Sequence, residues 1–368
     1  MNADRRGRLP GISAMVLVFA ISACSAGSTA SPSTAATASA PAVSGGAPSG
    51  SDAPPTIPPA EQDSITFGIS AIDPHQFQLQ LALDAGLYEK YGLKAQGTYF
   101  DGSQKTIQAL LGGQVDFAAS TSSQTITTLT TNTPAVDIAV MINKLPDYIY
   151  GGKGITSGAD LKGKKVAISQ LGTQSHAEMV VGLKALGLEP EDVILTAIGG
   201  QSARIAALEA GTVAAAPADP ALADKLTGEG FSVLVKLPEA SIKFAGSNVM
   251  TLRSYADKNP NTTLRVAAAM LEAMQLPYTD LDTVVKAFAK WAQVDEAEAK
   301  ANWQLYLDSG IAQRDLRSSL EGLQNARDVL LTVNPDVKDV DLSKAFDGSF
   351  LDKLEAMGLY DELGIPKN

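Results

Sequence analysis

Side chains that commonly carry catalysis or bind metal ions are scarce in this sequence. The 368 residues contain a single cysteine, Cys24, and two histidines, His75 and His176. There is no Gly-x-Ser-x-Gly turn to present a nucleophile, no His-x-His pair or cysteine cluster for a metal ion, and no Gly-x-Gly-x-x-Gly loop for a dinucleotide. We therefore predict a protein that binds a molecule without transforming it and without using a cofactor.

Neutral hydrogen-bonding residues are concentrated in loops that follow strand-like segments. Such loops lie at the carboxyl ends of strands, where helix N-termini direct free N–H groups towards a ligand. Ser, Thr and Gln side chains there could hold a small polar molecule or oxyanion without a dedicated cation, or they could simply cap their own helices. The residues predicted to contact the ligand are Ser70, His75, Gly102, Ser103, Gln104, Ser120, Thr121, Ser122, Gln174, Ser175, His176, Gln201, Asp219 and Asn248.

An internal repeat indicates which elements position these loops. The segment from Gly102 to Ala118 matches the segment from Gly200 to Ala216 at Gly, Ile, Leu, Gly, Val and Ala positions, with a constant offset of 98 residues. Strand-like and helix-like segments alternate in both copies, which predicts parallel sheets covered by helices. The two histidines fall in equivalent loops of the two copies, so we expect them to face each other across a cleft.

The repeat predicts an α/β protein of two similar lobes joined by a hinge. Lobe one is assigned to residues 63–147 and 243–368, and lobe two to residues 148–242. Segments after residue 260 have the 3.6-residue periodicity of amphipathic helices. These C-terminal helices are expected to pack on lobe one, with Trp291 and Trp303 in the core.

The N-terminus has the pattern of an export signal. Three arginines within the first eight residues precede an apolar run at 12–21, which is too short to span a bilayer as a helix. The run ends in Ile21-Ser-Ala-Cys24, which resembles the cleavage site of a bacterial lipoprotein. We predict a signal peptide at residues 1–23 and a lipid on Cys24, exported by either the general or the twin-arginine route.

The segment that follows differs in composition from the rest of the chain. Residues 24–62 are rich in Ser, Thr, Ala, Pro and Gly, and they cannot bury enough apolar surface to offset the entropy lost on ordering. They are predicted to form a disordered tether. The formal charge of −11 argues against nucleic acid as a partner, and the lack of a second cysteine rules out an intramolecular disulfide.

Six motifs follow one another along residues 64–275. They are Gly86-Leu-Tyr-Glu-Lys-Tyr-Gly-Leu93, Ala109-Leu-Leu-Gly-Gly-Gln-Val-Asp-Phe117, Asp160-Leu-Lys-Gly-Lys-Lys-Val-Ala-Ile168, Gly172-Thr-Gln-Ser-His176, Arg204-Ile-Ala-Ala-Leu-Glu-Ala-Gly211 and Ala218-Asp219-Pro220. In this order they resemble the substrate-binding proteins of aliphatic-sulfonate, taurine and nitrate importers, a group that also takes up pyrimidine precursors of thiamine. Sulfonate-binding relatives often have a Trp just before the last motif, where this chain has Ala214-Ala-Ala-Pro-Ala218.

The resemblance implies a two-lobed periplasmic-binding-protein fold of the second topological type. It also implies a monomeric, extracytoplasmic component of an ABC importer, with a permease and its ATPase as partners. The ligand would be small and polar or anionic, such as a sulfonate, taurine or nitrate. A thiamine-type pyrimidine, a flavin-like molecule, a ligand-sensing receptor domain and an enzyme of the same fold remain alternatives, although desulfinase relatives use a catalytic cysteine that the folded part of this chain lacks.

Overall fold

The computed structural model describes residues 57–100, 102–240 and 242–366, so the predicted signal peptide, Cys24 and most of the predicted tether lie outside the described residues. Two five-stranded sheets form the centre of the two lobes, which confirms the predicted α/β class. The strands are β1 (Ser64–Ile69), β2 (Lys94–Tyr99), β3 (Phe117–Thr121), β4 (Ala135–Val140), β5 (Tyr148–Gly151), β6 (Lys165–Ile168), β7 (Ile194–Ala197), β8 (Ala215–Ala218), β9 (Ser232–Lys236) and β10 (Ser247–Leu252).

Helices cover both sheets and continue beyond the last strand. They are α1 (Gln78–Asp84), α2 (Leu87–Lys90), α3 (Ser103–Leu111), α4 (Ser122–Thr128), α5 (Gln174–Ala185), α6 (Gln201–Glu209), α7 (Ala223–Gly228), α8 (Arg253–Lys258), α9 (Pro260–Ala273), α10 (Leu276–Thr279), α11 (Leu281–Ala292), α12 (Glu296–Asp308), α13 (Leu320–Leu330), α14 (Ser349–Ala356) and α15 (Leu359–Glu362). Within the described ranges, none of them combines the length and the apolar character that a bilayer-spanning helix requires.

The two sheets have the same topology. Sheet one has the strand order β2-β1-β3-β10-β4, and sheet two has the order β7-β6-β8-β5-β9. In sheet one β10 runs antiparallel to both of its neighbours, and in sheet two β5 does the same. Each of these strands is the first that the chain forms after crossing between lobes, so the crossings occupy residues 141–147 and 237–246.

The sequence repeat corresponds to this structural equivalence. Helices α3 and α6 begin 98 residues apart, and so do strands β3 and β8. Strands β3 and β4 are buried along their whole length, because helices cover both faces of the sheet. This burial explains the nearly continuous apolar run of β4, which only Asp137 interrupts.

Most of the C-terminal helices pack on lobe one, as predicted. Helices α9 and α14 share a core with β1 and β4, and Trp303 of α12 is fully buried against Phe77 and Phe288. Helix α13 differs, because Leu323 and Leu330 pack among lobe-two residues as well as against α4 of lobe one. The C-terminal helices as a group therefore contact both lobes, through α13, rather than lobe one alone.

Residues 57–62, at the end of the predicted tether, pack on lobe one. Ile57 is buried in the core of that lobe, and its carbonyl oxygen accepts a hydrogen bond from Arg265 Nη2 at 2.8 Å. The carboxylate of Glu61 accepts the backbone N–H of Asn261 at 3.0 Å and that of Thr262 at 2.8 Å. Glu61 thus supplies the cap for the N-terminus of α9, where a negative charge is favourable.

Candidate functional site

A cleft with a volume of about 180 Å³ lies between the two lobes. Its walls are formed by residues at and beyond the carboxyl ends of parallel strands from both sheets, including Ser70 after β1, Ser169 after β6 and Asp219 after β8. Ligands of α/β proteins bind at this edge of a sheet, because the loops there are free to vary while the strands hold them in place.

Nine of the predicted site residues line this cleft. Lobe one contributes five of them and lobe two contributes four, so the structure brings together loops that lie about a hundred residues apart in sequence. They are Ser70, His75, Gly102, Ser103, Thr121, Gln174, Ser175, Gln201 and Asp219.

The other five predicted residues do not line the cleft. Gln104 is exposed on α3, outside the cleft. Ser122 and Asn248 turn towards buried Asp137, whose carboxylate accepts hydrogen bonds from Ser122 Oγ at 2.7 Å and Asn248 Nδ2 at 2.6 Å. The backbone N–H of Ser120 donates to Asn248 Oδ1 at 3.3 Å. These residues fix β3, β4 and β10 relative to one another beneath the site.

His176, the fifth residue, does not face His75 as the repeat suggested. His75 lines the cleft, whereas His176 is fully buried and accepts a hydrogen bond from the backbone N–H of Gly172 at its Nδ1. The reason is a difference in loop length, since eight residues separate β1 from α1 and only five separate β6 from α5. His176 consequently lies in the first turn of α5, with its ring directed into the protein.

Among the residues described around the cleft, four carry carboxyl groups, and only one of these, Asp219, was among the predicted site residues. Asp73 lies in the loop after β1, Asp147 ends the first crossing, and Glu178 lies in the second turn of α5. Asp73, Asp147 and Glu178 are at most 8% exposed. Glu178 could have been noticed in the sequence, because it is followed directly by Met179-Val180-Val181 and an ionisable group in an apolar run is unusual.

Asp73 and His75 form a hydrogen-bonded pair at the lobe-one side of the cleft. His75 Nδ1 lies 3.1 Å from Asp73 Oδ1, and the same carboxylate oxygen accepts the backbone N–H of Gln76 at 2.9 Å. Burial lowers the pKa of His75 to about 4 and raises the pKa of Asp73 to about 7. A neutral imidazole therefore donates to the carboxyl group at neutral pH, and the pair is not an ion pair.

Asp147 and Glu178 bring two carboxyl groups into contact. Burial raises the pKa of both groups, to about 7 for Glu178, and the negative charges of Glu178, Asp219 and Asp73 raise the pKa of Asp147 further. Glu178 accepts hydrogen bonds from the carboxyl group of Asp147 and from Gln174 Nε2, the latter at 2.8 Å. Burial therefore favours a protonated carboxyl group at this contact, which allows one group to donate a hydrogen bond to the other.

Arg204 is the one basic side chain among the described residues that line the cleft, if neutral His75 is set aside. Its Nε and Nη2 atoms donate to the carbonyl oxygen of Pro217 at 3.2 and 3.1 Å, and Nη1 donates to that of Gly199 at 3.1 Å. Its charge lowers the pKa values of Asp147 and Glu178, though less than burial raises them. The guanidinium group holds the end of β8 against the loop before α6.

The helices that start at the cleft lack the side-chain caps found elsewhere. Thr121 and Thr173 are the N-cap residues of α4 and α5, and neither side chain accepts a capping hydrogen bond. The N-cap residue of α6 is Gly200, which has no side chain. Far from the cleft, Asp280 and Asp295 do cap α11 and α12. The alternative that Thr121 serves only as a helix cap is therefore not supported by its geometry.

The sequence profile of the NMT1/THI5-like family matches residues 74–280, more than half of the chain. A protein of Brucella abortus that is named as a binding protein is 30% identical over 113 residues, which are 31% of this chain and 34% of that protein. The match thus spans about a third of the length of these relatives.

Solved structures resemble most of the chain. The periplasmic aliphatic sulphonate binding protein SsuA of Escherichia coli has a TM-score of 0.62 at 22% identity, over 77% of this chain and 92% of that one. The periplasmic nitrate-binding protein NrtA of Synechocystis PCC 6803 has a TM-score of 0.67 at 15% identity, over 84% and 92%. The desulfurization enzyme DszB reaches 0.58 at 15% identity, over 81% and 100%.

These likenesses show the periplasmic-binding-protein fold, which occurs both in binding proteins and in an enzyme. The family profile extends from the loop before α1 to the end of α10, so it includes the cleft residues from His75 to Asp219 in both lobes but not Ser70 to Asp73. On this match, the chain belongs to the NMT1/THI5-like family.

Proposed function

We propose that the chain is the extracytoplasmic solute-binding component of an ABC importer. It captures a small polar molecule between its lobes by hinge closure and delivers it to a permease with its ATPase. The observation that carries this proposal is the cleft itself, because its walls come from two lobes that are joined by two short crossings. A lipid on Cys24 would hold the protein, as a monomer, at the outer face of the cell membrane.

The chemistry of the cleft supports binding rather than turnover. The hydroxyl of Ser175 is the best-placed nucleophile, and it contacts Ser169 Oγ at 2.7 Å, Thr173 Oγ1 at 3.1 Å and the backbone N–H of Ser169 at 2.8 Å. Among these contacts there is no base that could remove its proton, whereas a catalytic serine needs one. The hydroxyls are arranged to hold one another and a ligand.

The relatives support the same function. Two of the solved structures are named as periplasmic binding proteins for a sulphonate and for nitrate, and the Brucella relatives are also named as binding proteins. An enzyme of the same fold is the second candidate, because DszB shares the architecture. A receptor domain that binds a solute and signals is the third.

The test is to identify what the purified protein retains. The protein is incubated with a mixture of small solutes and washed, and the bound compound is released by denaturation and identified by mass spectrometry. Recovery of an unchanged solute supports the proposal, and so does a radius of gyration in solution that is smaller for the complex than for the protein without solute. A solute recovered in altered form would favour an enzyme, and a complex with an unchanged radius would contradict hinge closure.

Two adjacent positions of α3 provide a matched pair of variants. Ser103 lines the cleft, whereas neighbouring Gln104 is exposed outside it. Ser103→Trp should fill part of the cleft and abolish retention, while Gln104→Trp should retain the solute as the natural sequence does. Equal retention by both variants would place the binding site elsewhere.

A further inference from the structure

We propose that the cleft recognises a cationic nitrogen, so that its solute is a small ammonium, amidinium or guanidinium compound. This inference rests on the proposed function and names the class of solute. It departs from the expectation of a sulfonate or nitrate ligand, and it follows from the charges, the hydrogen-bonding groups and the spacing of the side chains that line the cleft.

The charges of the lining are unbalanced. Four carboxyl groups, those of Asp73, Asp147, Glu178 and Asp219, face one guanidinium group among the described residues of the wall. That guanidinium group also holds two backbone carbonyl oxygens. Buried carboxylates are unfavourable unless a positive charge accompanies them, and a cationic solute would supply that charge.

Buried polar atoms without a partner provide a second, independent observation. Thr121 is fully buried at the cleft wall, and its Oγ1 atom has no hydrogen-bond partner among the described residues. Gln174 is partly exposed, but its Oε1 atom is buried and also has no partner among the described residues, while its Nε2 atom donates to Glu178. An amide oxygen can only accept, so this position calls for an N–H or O–H donor on the ligand.

The neighbouring carboxyl groups would also be satisfied by N–H donors on the ligand. Glu178 and Asp147 lie together in one wall, and Asp219 lies close enough to influence the pKa of Asp147 and of His75. Amidinium and guanidinium groups offer several N–H donors in one plane and match paired carboxylates. A quaternary ammonium compound would need an aromatic cage, and Tyr99 is the only tyrosine, tryptophan or phenylalanine among the described lining residues.

A bare metal ion fits less well than an organic cation. Among the residues that the structure describes, no group of three or more His, Cys, Asp or Glu side chains is arranged to hold a metal ion. The carboxyl groups are instead distributed over the walls of a cavity of about 180 Å³. This distribution suits a molecule that carries donors at separated positions.

The release of protons on binding distinguishes a cationic solute from an anionic one. Burial raises the pKa values of Asp73 and Glu178 to about 7, and it raises those of Asp147 and Asp219 as well. A bound cation favours the ionised carboxylates, so its binding releases protons and its affinity rises with pH, up to about tenfold per pH unit for each proton released. An anion would require the protonated forms, and its affinity would fall as the pH rises.

The experiment is calorimetric titration of the full-length protein with five probes at constant ionic strength. Putrescine and agmatine are cations, nitrate and ethanesulfonate are anions, and taurine is ethanesulfonate with an added ammonium group. We expect a cation to bind at about pH 8 and at least about tenfold more weakly at about pH 6, with protons released. Taurine should bind more tightly than ethanesulfonate.

Matched variants locate the interaction. Glu178→Gln should weaken binding of the cation at least about tenfold at pH 8 and should reduce the number of protons released. Glu229→Gln, an exposed position of the same lobe, should leave both quantities unchanged. Melting temperatures recorded without probe show that both variants are folded.

Several outcomes would overturn the inference. It is contradicted if ethanesulfonate or nitrate binds as tightly as any amine, if calcium ions outcompete the amines, or if Glu178→Gln binds the cation as the natural sequence does. If the solute recovered by mass spectrometry is neutral or anionic, the cation inference fails while the solute-binding function stands. If no small solute of any charge binds, both fail.

Discussion

Gln124 of lobe one donates a hydrogen bond through its Nε2 atom to the carbonyl oxygen of Gly172 in lobe two, over 3.1 Å. Gln124 lies in α4, and Gly172 lies in the loop between β6 and α5 that contributes Thr173 and Ser175 to the cleft. The bond joins the lobes beside the ligand site. It stabilises the arrangement of the two lobes in which both of them line the cleft.

Loss of this bond should therefore weaken solute binding. For Gln124→Ala we expect a dissociation constant about 2- to 12-fold higher, the equivalent of about 0.5–1.5 kcal/mol, since the bond stabilises the arrangement of the lobes in which both can contact the solute. Calorimetric titration measures the change, and Gln108→Ala on the exposed face of α3 is the control. An unchanged affinity would show that the bond does not contribute to closure.

Replacement of Glu178 by Gln should stabilise the protein without solute at alkaline pH. Because burial raises the pKa of Glu178 to about 7, the folded protein binds more protons than the unfolded chain between about pH 4.5 and pH 7, and stability falls as the pH rises through that window. The amide removes this loss, which is on the order of 1–3 kcal/mol.

Denaturant unfolding at two pH values checks this prediction. At about pH 8 Glu178→Gln should need more denaturant than the natural sequence, and at about pH 4 the two should be alike, because the carboxyl group is protonated in both states. Exposed Glu229→Gln should show no such difference. A lower stability of Glu178→Gln at alkaline pH would mean that ionised Glu178 stabilises the fold.

Arg204 should be difficult to replace even by lysine. Its planar guanidinium group bridges the carbonyl oxygens of Pro217 and Gly199 with three N–H donors, and a lysine ammonium cannot reproduce that geometry. We expect Arg204→Lys to lower the free energy of unfolding by about 1–3 kcal/mol. Arg327→Lys, which alters a partly exposed ion pair with Asp328, should cost about 0.5 kcal/mol or less. Equal losses would exclude a bridging role for Arg204.

Cys24 should determine how the protein is attached to the cell. Cys24→Ser removes the sulfur that the predicted lipid requires, so we expect the protein to move from the membrane fraction to the soluble fraction and to lose incorporation of labelled fatty acid. Ser22, two residues before Cys24, offers a control, because Ser22→Ala should change neither the membrane attachment nor the incorporation of fatty acid. Continued membrane attachment of Cys24→Ser would contradict lipidation.

The fold could be predicted because its signal is repeated along the chain. The offset of 98 residues between two copies of one pattern defines two lobes, and the observed elements α3 and α6 keep that offset. The sequence of the repeat did not predict that β10 lies between β3 and β4 and that β5 lies between β8 and β9. Nothing in the local sequence of either strand indicates which neighbours it pairs with. Such pairing depends on contacts that are distant in sequence.

The candidate site was predicted in part. The polar loops were identifiable because Ser, Thr and Gly after a strand indicate the start of a helix, and several of these residues do line the cleft. The carboxyl groups of Asp147 and Glu178 were missed, since acidic residues in a helix or a crossing are usually exposed to solvent. The burial of Asp147 depends on the approach of two lobes, which the sequence of either lobe alone does not contain, whereas the apolar residues after Glu178 were a local signal.

The position of β10 has a consequence for the order in which a nascent chain can assemble. All five strands of sheet two lie within residues 148–236, so this sheet can be completed from one continuous stretch of chain. Sheet one has β10 between β3 and β4, and it stays unfinished until residue 252 has been released. During that interval β3 and β4 present unpaired backbone edges, which invite pairing with other chains. Backbone amides of β5–β9 should therefore gain protection from hydrogen exchange before those of β3 and β4 during refolding, and the half-made protein is most exposed to aggregation at lobe one.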